Sequence, residues 1–342
     1  MESFRRYQLK GLDRRTHKLL SIIIPAKNEA RYLDNCLHAL HIALESYGGN
    51  FEIILVDNGS TDRTTAIARQ KNCKVIEEIN ATLGKMRNVG ASTSNGEVLA
   101  FLDADCLVDP NWIVYCVEAF KNDKITMVGT RAIPDLANST WVEKAWYRLV
   151  SGAGRPDFVD WLGTSNIFLR RAEFMKLGGF CEKLKTGEDV SLGYQIRKEG
   201  GLIYLEKRIN TIHMRESKSL IELFRREYWR GQSSIRSYWK NAFSRRELPS
   251  VAIPAVNGIA ILIFILYLIL RSYYAFLPAL VIFGLPIIMM RKKRVISESR
   301  KEVFQCFIVA MVYLLGRSCS LLYEVQLILK SNFCQRSRIM PQ

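Results

Sequence analysis

Two stretches towards the end of the chain, residues 251–270 (VAIPAVNGIAILIFILYLIL) and 273–290 (YYAFLPALVIFGLPIIMM), contain no charged residue. A helix that crosses a bilayer needs about 20 predominantly apolar residues, and a helix of a soluble protein is rarely uncharged all round. Both stretches therefore read as spans rather than as a pair of buried core helices. Only Arg271 and Ser272 separate them, which predicts a transmembrane hairpin over 251–290. Arg245 and Arg246 precede it and Arg291-Lys292-Lys293-Arg294 follows it. An excess of Lys and Arg marks the cytosolic flank of a span, so both ends of the hairpin are expected in the cytosol. A third apolar stretch, 303–329, carries Arg317 and Glu324 seven residues apart on one helical face. It is a third membrane-associated or transmembrane helix, spanning within a bundle or lying in the interface. The interface is preferred, because a span would place Lys330, Arg336 and Arg338 outside.

The remainder has the mixed composition of a globular domain. Across all 342 residues, 49 Lys and Arg against 33 Asp and Glu leave a net charge of +16, which suits an anionic partner: nucleic acid, a phosphate-rich ligand or acidic lipid. No zinc-finger spacing or RNA-recognition motif supports nucleic acid, and the basic clusters flank the membrane segments instead. The eight cysteines form no C-x-x-C pair and several sit inside apolar runs, the usage of a reducing compartment. The N-terminal basic segment, 1–18, has no apolar core of its own, and Leu19–Ile24 is too short for a signal peptide. An integral membrane protein of the plasma or inner membrane, with its bulk in the cytoplasm, is expected.

From residue 19 to about 135, short apolar runs alternate with helical periodicity. Leu19–Ile24 reads as a buried strand ending at Pro25, Phe51–Val56 as a second, Val75–Ile76 as a short third and Glu97–Leu102 as a fourth. Leu33, Leu37, Leu40 and Leu44 recur at helical spacing, and Thr64–Gln70 begins another helix. Such alternation predicts an α/β layered fold with a mostly parallel sheet, whose ligands bind at the carboxyl ends of the strands. Three of these ends are polar: Lys27-Asn28-Glu29, Asp57-Asn58 and Asp103-Ala104-Asp105. Neither G-x-G-x-x-G after the first strand nor G-x-x-x-x-G-K-[ST] occurs, which disfavours a dinucleotide oxidoreductase or a P-loop NTPase.

Asp103 and Asp105 are the strongest chemical signal. In an extended chain residues i and i+2 point to one side, so two carboxylates would converge just beyond an apolar strand. Like charges about 4 Å apart repel by roughly 1 kcal/mol in water, a cost that a divalent cation such as Mg²⁺ or Mn²⁺ removes. Taken alone, D-x-D is equally a turn before the next helix.

The surrounding motifs are more specific. Ser21-Ile-Ile-Ile-Pro25-Ala26-Lys27-Asn28-Glu29, Val56-Asp57-Asn58-Gly59-Ser60-Thr61-Asp62, Gly84-Lys85-Met86-Arg87-Asn88-Val89-Gly90, Phe101-Leu102-Asp103-Ala104-Asp105, and Gly178-Gly179-Phe180 with Glu188-Asp189 follow in one order. Together, over about residues 19–235, they resemble the family 2 glycosyltransferases, inverting enzymes with the GT-A (Rossmann-like nucleotide-sugar-binding) fold. The resemblance implies a GT-A glycosyltransferase domain over 19–245. Pro25, Ala26 and Glu29 then line the nucleotide pocket, Asp57 contacts base or ribose, and Lys85 and Arg87 form a basic loop beside the base and diphosphate. Asp103 binds metal and diphosphate, Asp105 binds the metal, and Asp189 is the catalytic base. His213, after Asn210-Thr211-Ile212, falls where some relatives have a further metal ligand; a lone His is otherwise structural.

Asp57 also suits an Asx-turn, and Thr186 with Asp189 a capping-box variant. Between 217 and 240 an amphipathic membrane-surface helix is expected, with Leu220, Phe224, Tyr228, Ile235 and Trp239 on one face. Its arginines, Arg226 and Arg230 among them, either clamp diphosphate or meet acidic head groups. Processive members carry a Q/R-x-x-R-W motif here, whereas this chain reads Arg226-Glu227-Tyr228-Trp229-Arg230, which disfavours a processive polymerase. The expected activity is transfer from a nucleotide sugar, a UDP-sugar first among them, to a lipid-linked or saccharide acceptor at the cytosolic membrane face. That activity fits cell-surface polysaccharide or glycolipid synthesis. A polyprenyl-phosphate glycosyltransferase is the alternative, and a non-catalytic nucleotide-sugar-binding membrane subunit a third.

Overall fold

Seven consecutive apolar or small residues, Leu20–Ala26, form a strand buried along its whole length, β1, because both faces of the sheet around it are covered. The computed structural model describes residues 19–151, 156–293, 295 and 299–337, so the predicted basic segment 1–18 lies outside the described residues. The chain divides into two compact units. The first runs to Ala132 and adds Asp157–Glu182 and Leu192–Met214; the second comprises Ile133–Pro156, Lys183–Ser191 and everything from Arg215 on.

The first unit is built on an eight-stranded sheet. After β1 come β2 (Phe51–Asp57), β3 (Lys74–Glu77), β4 (Val98–Leu102), β5 (Cys106–Leu107), β6 (Ile125–Ile133), β7 (Asn166–Arg170) and β8 (Leu202–His213), in the spatial order β3-β2-β1-β4-β7-β6-β8-β5. β1 runs parallel to β2 and β4, and β2 to β3, whereas β7 is antiparallel to β4 and β6, and β5 to β8. The expected mostly parallel sheet is thus confined to β1–β4, the part of the chain with strand–helix alternation. Pro25, expected to end β1, lies inside it opposite Val56. Pairing with β4 stops at Ile23, so Pro25 stands where the strand has one neighbour, a position that tolerates a missing N–H.

Alternate residues of β1 enter two cores. Leu20, Ile22 and Ile24 pack with Leu33, Leu37, Leu40 and Leu44 of α1 (Ala30–Tyr47). Ile23 packs on the other face with Ile54, Val56, Met86 and Phe101. α2 (Thr64–Gln70) precedes β3, α3 (Leu83–Ser92) precedes β4, and α4 (Trp112–Ala119) precedes β6. Gly90 brings α3 against β1: a Cβ there would lie 2.4 Å from Ile23 Cγ2 and 3.2 Å from Val56 Cγ2.

The second unit is helical. α5 (Trp141–Ser151) belongs to it; the short α6 (Arg171–Lys176) belongs to the first unit, and the boundary falls within α7 (Glu188–Lys198). α8 (Leu220–Arg230) and α9 (Ser234–Lys240) replace the single helix expected over 217–240. Ser219 caps α8 by accepting from Glu222 N, and the helix stops before Gly231. α10 (Leu248–Ile269) and α11 (Phe276–Lys292) form the expected hairpin, joined through Arg271 in the left-handed region (φ 51°) and a single 3₁₀ turn, Tyr273–Ala275. α12 (Arg300–Ser337) is one helix, longer than the stretch 303–329. All three are long and apolar enough to cross a membrane. Val142, Ala145, Trp146 and Leu149 of α5 share a core with Leu223, Met290, Cys306, Val309 and Ala310.

Gly90→Ala is expected to lower stability by about 1–3 kcal/mol, although alanine favours helix, because the new methyl overlaps β1. A fall in the melting temperature of the purified full chain checks this; an unchanged or raised value would contradict it.

Candidate active site

The loops at the carboxyl ends of β1 and β2 hold each other. Asn28 takes a left-handed conformation (φ 56°) and its Oδ1 accepts from Thr61 N at 2.8 Å, while its own N–H donates to Ser60 Oγ at 2.9 Å. Glu29 N donates to Thr64 Oγ1 at 2.8 Å, and Ala30 N to Asp62 Oδ2 at 3.1 Å. Burial would raise the Asp62 carboxyl, but the hydroxyl and amide of Thr64 and the amide of Ala30 outweigh it and hold its pKa below the ordinary value. Asp57 is buried and accepts from Ser60 N and Ser60 Oγ, three residues on rather than the two of an Asx-turn. Pro25 and Ala26 are the last residues of β1, directly before this loop.

Lys85 and Arg87 lie on α3 rather than in a loop. Thr82 caps that helix by accepting from Lys85 N, and the half-exposed Lys85 ammonium meets Glu78 at 2.7 Å. Arg87 faces inward. Its side chain is 1% exposed, its Nη2 lies 2.8 Å from Asp103 Oδ1, and its guanidinium sits 5.7 Å from the centre of the Phe180 ring. Phe180 is held in turn by Asn88, whose Oδ1 accepts from Phe180 N and whose Nδ2 donates to Phe180 O, both at 2.9 Å. Gly178 and Gly179, both left-handed (φ 77° and 70°), deliver the chain to that position.

Asp103-Ala104-Asp105 is a turn, not an extended segment: Cys106 N donates to Asp103 O at 3.1 Å. The two carboxylates consequently go different ways. Asp103 meets Arg87, and Asp105 meets His213, with Nε2 3.5 Å from Oδ1. Strand pairing sets the second contact, because Cys106 stands opposite His213 and Met214 N donates to Asp105 O. Ligand atoms of Asp105, Cys106 and His213 all lie within 4.8 Å of one another, with Asp105 and Cys106 buried. A carboxylate oxygen and an imidazole nitrogen suit Mn²⁺ and related divalent ions, so Asp105 and His213 fit such a group; the thiol is the softer donor. Asp103 is outside this cluster. Cys106 was missed by sequence reasoning, although it directly follows the acidic pair.

In the second unit, Asp189 occupies the first turn of α7, where its Oδ1 accepts from Val190 N at 2.8 Å. The buried Thr186 hydroxyl donates to Arg230 O at 2.9 Å. Arg230 meets Glu227 at 2.7 Å and Arg226 meets Glu216 at 2.6 Å. Burial would lower the pKa of Arg230, but the charges of Glu227, Glu216 and Asp189 hold it above the ordinary value. Both arginines expected to clamp diphosphate therefore carry carboxylate partners of their own.

Residues 21–181 match the sequence model of the family described as glycosyl transferase family 2. Glycosyltransferase AglE of Haloferax volcanii is 26% identical over 252 residues, covering 71% of this chain and 82% of that protein. Validoxylamine A glucosyltransferase of Streptomyces hygroscopicus subsp. jinggangensis is 26% identical over 226 residues, and there the match spans only about half of each protein, 53% and 52%. Among solved structures, the mannosyltransferase PcManGT from Pyrobaculum calidifontis, in complex with GDP-Man and Mn²⁺, is similar with a TM-score of 0.58 at 16% identity, over 92% of each chain. That likeness extends to the fold.

The Arg87–Asp103 pair orders two substitutions. Asp103→Asn removes the negative charge beside a buried guanidinium and is expected to cost about 2–3 kcal/mol, below the 3–5 of a fully buried pair because Asp103 is 30% exposed. Arg87→Met removes the charge instead and should cost less. Chemical unfolding of both variants checks the order, and the reverse order would contradict the burial argument.

Proposed function

We propose, from the premise that this chain is a family 2 glycosyltransferase, that it is a membrane-anchored inverting enzyme moving one sugar from a nucleoside-diphosphate sugar to a lipid-linked or saccharide acceptor at the cytosolic face. The observation that carries the proposal is the gathering of Asp57, the Arg87–Asp103 pair and the Asp105–His213 contact in one unit, around the carboxyl ends of its parallel strands. Such strand ends are where ligands of open α/β sheets bind. Asp57, already fixed by Ser60, lines the base and ribose together with Pro25, Ala26 and Glu29. Lys85, on the exposed side of α3, offers charge to the diphosphate, and Arg87 acts through Asp103, whose Oδ1 it holds.

Asp105 and His213 would hold a divalent ion, Mn²⁺ or Mg²⁺, supplying positive charge where the nucleotide departs. Asp189 serves as base, taking the proton of the acceptor hydroxyl as its oxygen attacks the anomeric carbon from the face opposite the nucleotide. GDP-Man in PcManGT sets GDP-sugars beside UDP-sugars as donors to try first. The uncharged α10–α11 hairpin supplies the anchor, with its Lys- and Arg-rich ends on the catalytic side.

Purified full-length protein, incubated with UDP-, GDP- and dTDP-sugars, Mn²⁺ and membrane lipid extract, is expected to release nucleotide from one donor. EDTA should abolish release and Mn²⁺ restore it. Asp189→Asn should lower turnover about 10²–10⁴-fold while donor binding persists, the range for loss of a general base. Asp105→Asn should raise the Mn²⁺ concentration needed. Full turnover in Asp189→Asn would exclude it as the base.

A further inference from the structure

We infer that α12, although long and apolar enough to span, does not cross the bilayer but lies along the cytosolic interface, with its outward apolar stripe against lipid. The inference rests on the reading of α10 and α11 as a membrane hairpin, and it adds the placement of the helix beyond that hairpin. Charged and polar helices of the same unit accompany α12 through most of its length. Glu302, in the first turn, meets Arg148 of α5 at 2.7 Å. Gly316 lets α8 come so close that a Cβ there would lie 3.0 Å from Phe224 O. Gly231, at the end of α8, sits where a Cβ would meet Ser320 Oγ at 2.5 Å. Glu324 is buried and accepts from the backbone N–H of Ile235 and Arg236 at 2.9 and 3.1 Å, capping α9.

From Glu302 to Glu324 is about 33 Å of helix, slightly more than the hydrocarbon thickness of a bilayer. If α12 spanned, α8 and α9 would enter the hydrocarbon with it. Arg226, Glu227, Arg230 and Arg236 lie on those two helices, and charges inside a bilayer are strongly disfavoured. The hydrogen bonds of α12 to the hairpin lie near the hairpin's cytosolic ends, and Phe307 stacks at 6.5 Å on Phe283, midway along α11. Ser318 Oγ donates to Pro254 O and is hydrogen-bonded by Asn257 Nδ2, both in the first half of α10, and Met290 near the end of α11 shares the core of Cys306 and Val309.

The pattern along α12 is inverted relative to a helix of a soluble protein. Its packed face carries Cys306, Gly316, Ser320 and Glu324, whereas Phe304, Leu315, Leu322 and Leu329 are exposed at spacings that keep them on one opposite face. Exposed Arg300 and Lys301 begin the helix, and Lys330, Arg336 and Arg338 come after the apolar stretch in sequence. An apolar stripe bordered by cations is the chemistry of a helix lying in an anionic head-group layer.

The test is topological and uses the full chain in a bacterial host. A green fluorescent protein fused after Gln342 is expected to fluoresce, and alkaline phosphatase fused there to be inactive. Tyr273→Cys, in the exposed turn of the hairpin, should react with a membrane-impermeant maleimide from outside intact cells, measured against the unsubstituted chain. Active phosphatase together with a labelled turn would show that α12 spans and overturn the inference while leaving the hairpin intact. A turn labelled only after lysis would overturn the hairpin reading itself.

Discussion

Arg87 carries a charge that water does not reach, and much of the first unit is organised around making that tolerable. The guanidinium needs a carboxylate at hydrogen-bonding distance, which Asp103 provides, and a polarisable face, which Phe180 provides. Each requirement positions a different part of the chain. Asp103 sits immediately beyond β4, so the pair ties α3 to the end of that strand. Phe180 belongs to the Gly178-Gly179-Phe180 loop, which Asn88, the next residue on α3, grips through both the oxygen and the nitrogen of its amide. With Asp103 turned towards α3, the tight turn at 103–106 presents Asp105 to His213 on β8 instead. One buried cation thereby separates two neighbouring carboxylates into different roles.

The second unit handles charge differently. Arg226 and Arg230 on α8 are matched by carboxylates of Glu216 and Glu227, and Glu324 on α12 is taken up by the amides of α9. Small residues where α8 and α12 touch, Gly231, Gly316 and Ser320, allow backbone to approach backbone. The hairpin leaves Ile259, Leu262 and Leu280 exposed, an apolar surface long enough to cross a membrane.

Several elements were legible because local rules decide them. The uninterrupted apolar run of β1 and the Leu33, Leu37, Leu40 and Leu44 spacing of α1 appear as expected, since a strand buried on both faces and a helix with one buried stripe have distinct periods. The antiparallel half of the sheet was not legible: β6, β7 and β8 pair across long separations without a strand–helix repeat to announce them. The break between α8 and α9 is hidden by apolar positions that continue in register through Gly231. Asp103 and Asp105 were expected to point the same way because an extended chain was assumed. The Cys106 N–H to Asp103 O bond replaces extension by a turn, and no spacing in the sequence reports it.

What the sequence determined by itself was an α/β domain, from strand–helix alternation, and a pair of helices long and apolar enough to cross a membrane, from two runs without charge; nucleotide-sugar binding came from the resemblance of its motifs to a family. The domain and the helices depend on composition and period, which are local properties. Only the tertiary structure decided that Arg87 is buried against Asp103, that Cys106 joins Asp105 and His213, and that Arg226 and Arg230 of α8 already have carboxylate partners. Each of those outcomes depends on which groups meet after burial, and pairing across tens of residues is set by packing rather than by any neighbour along the chain.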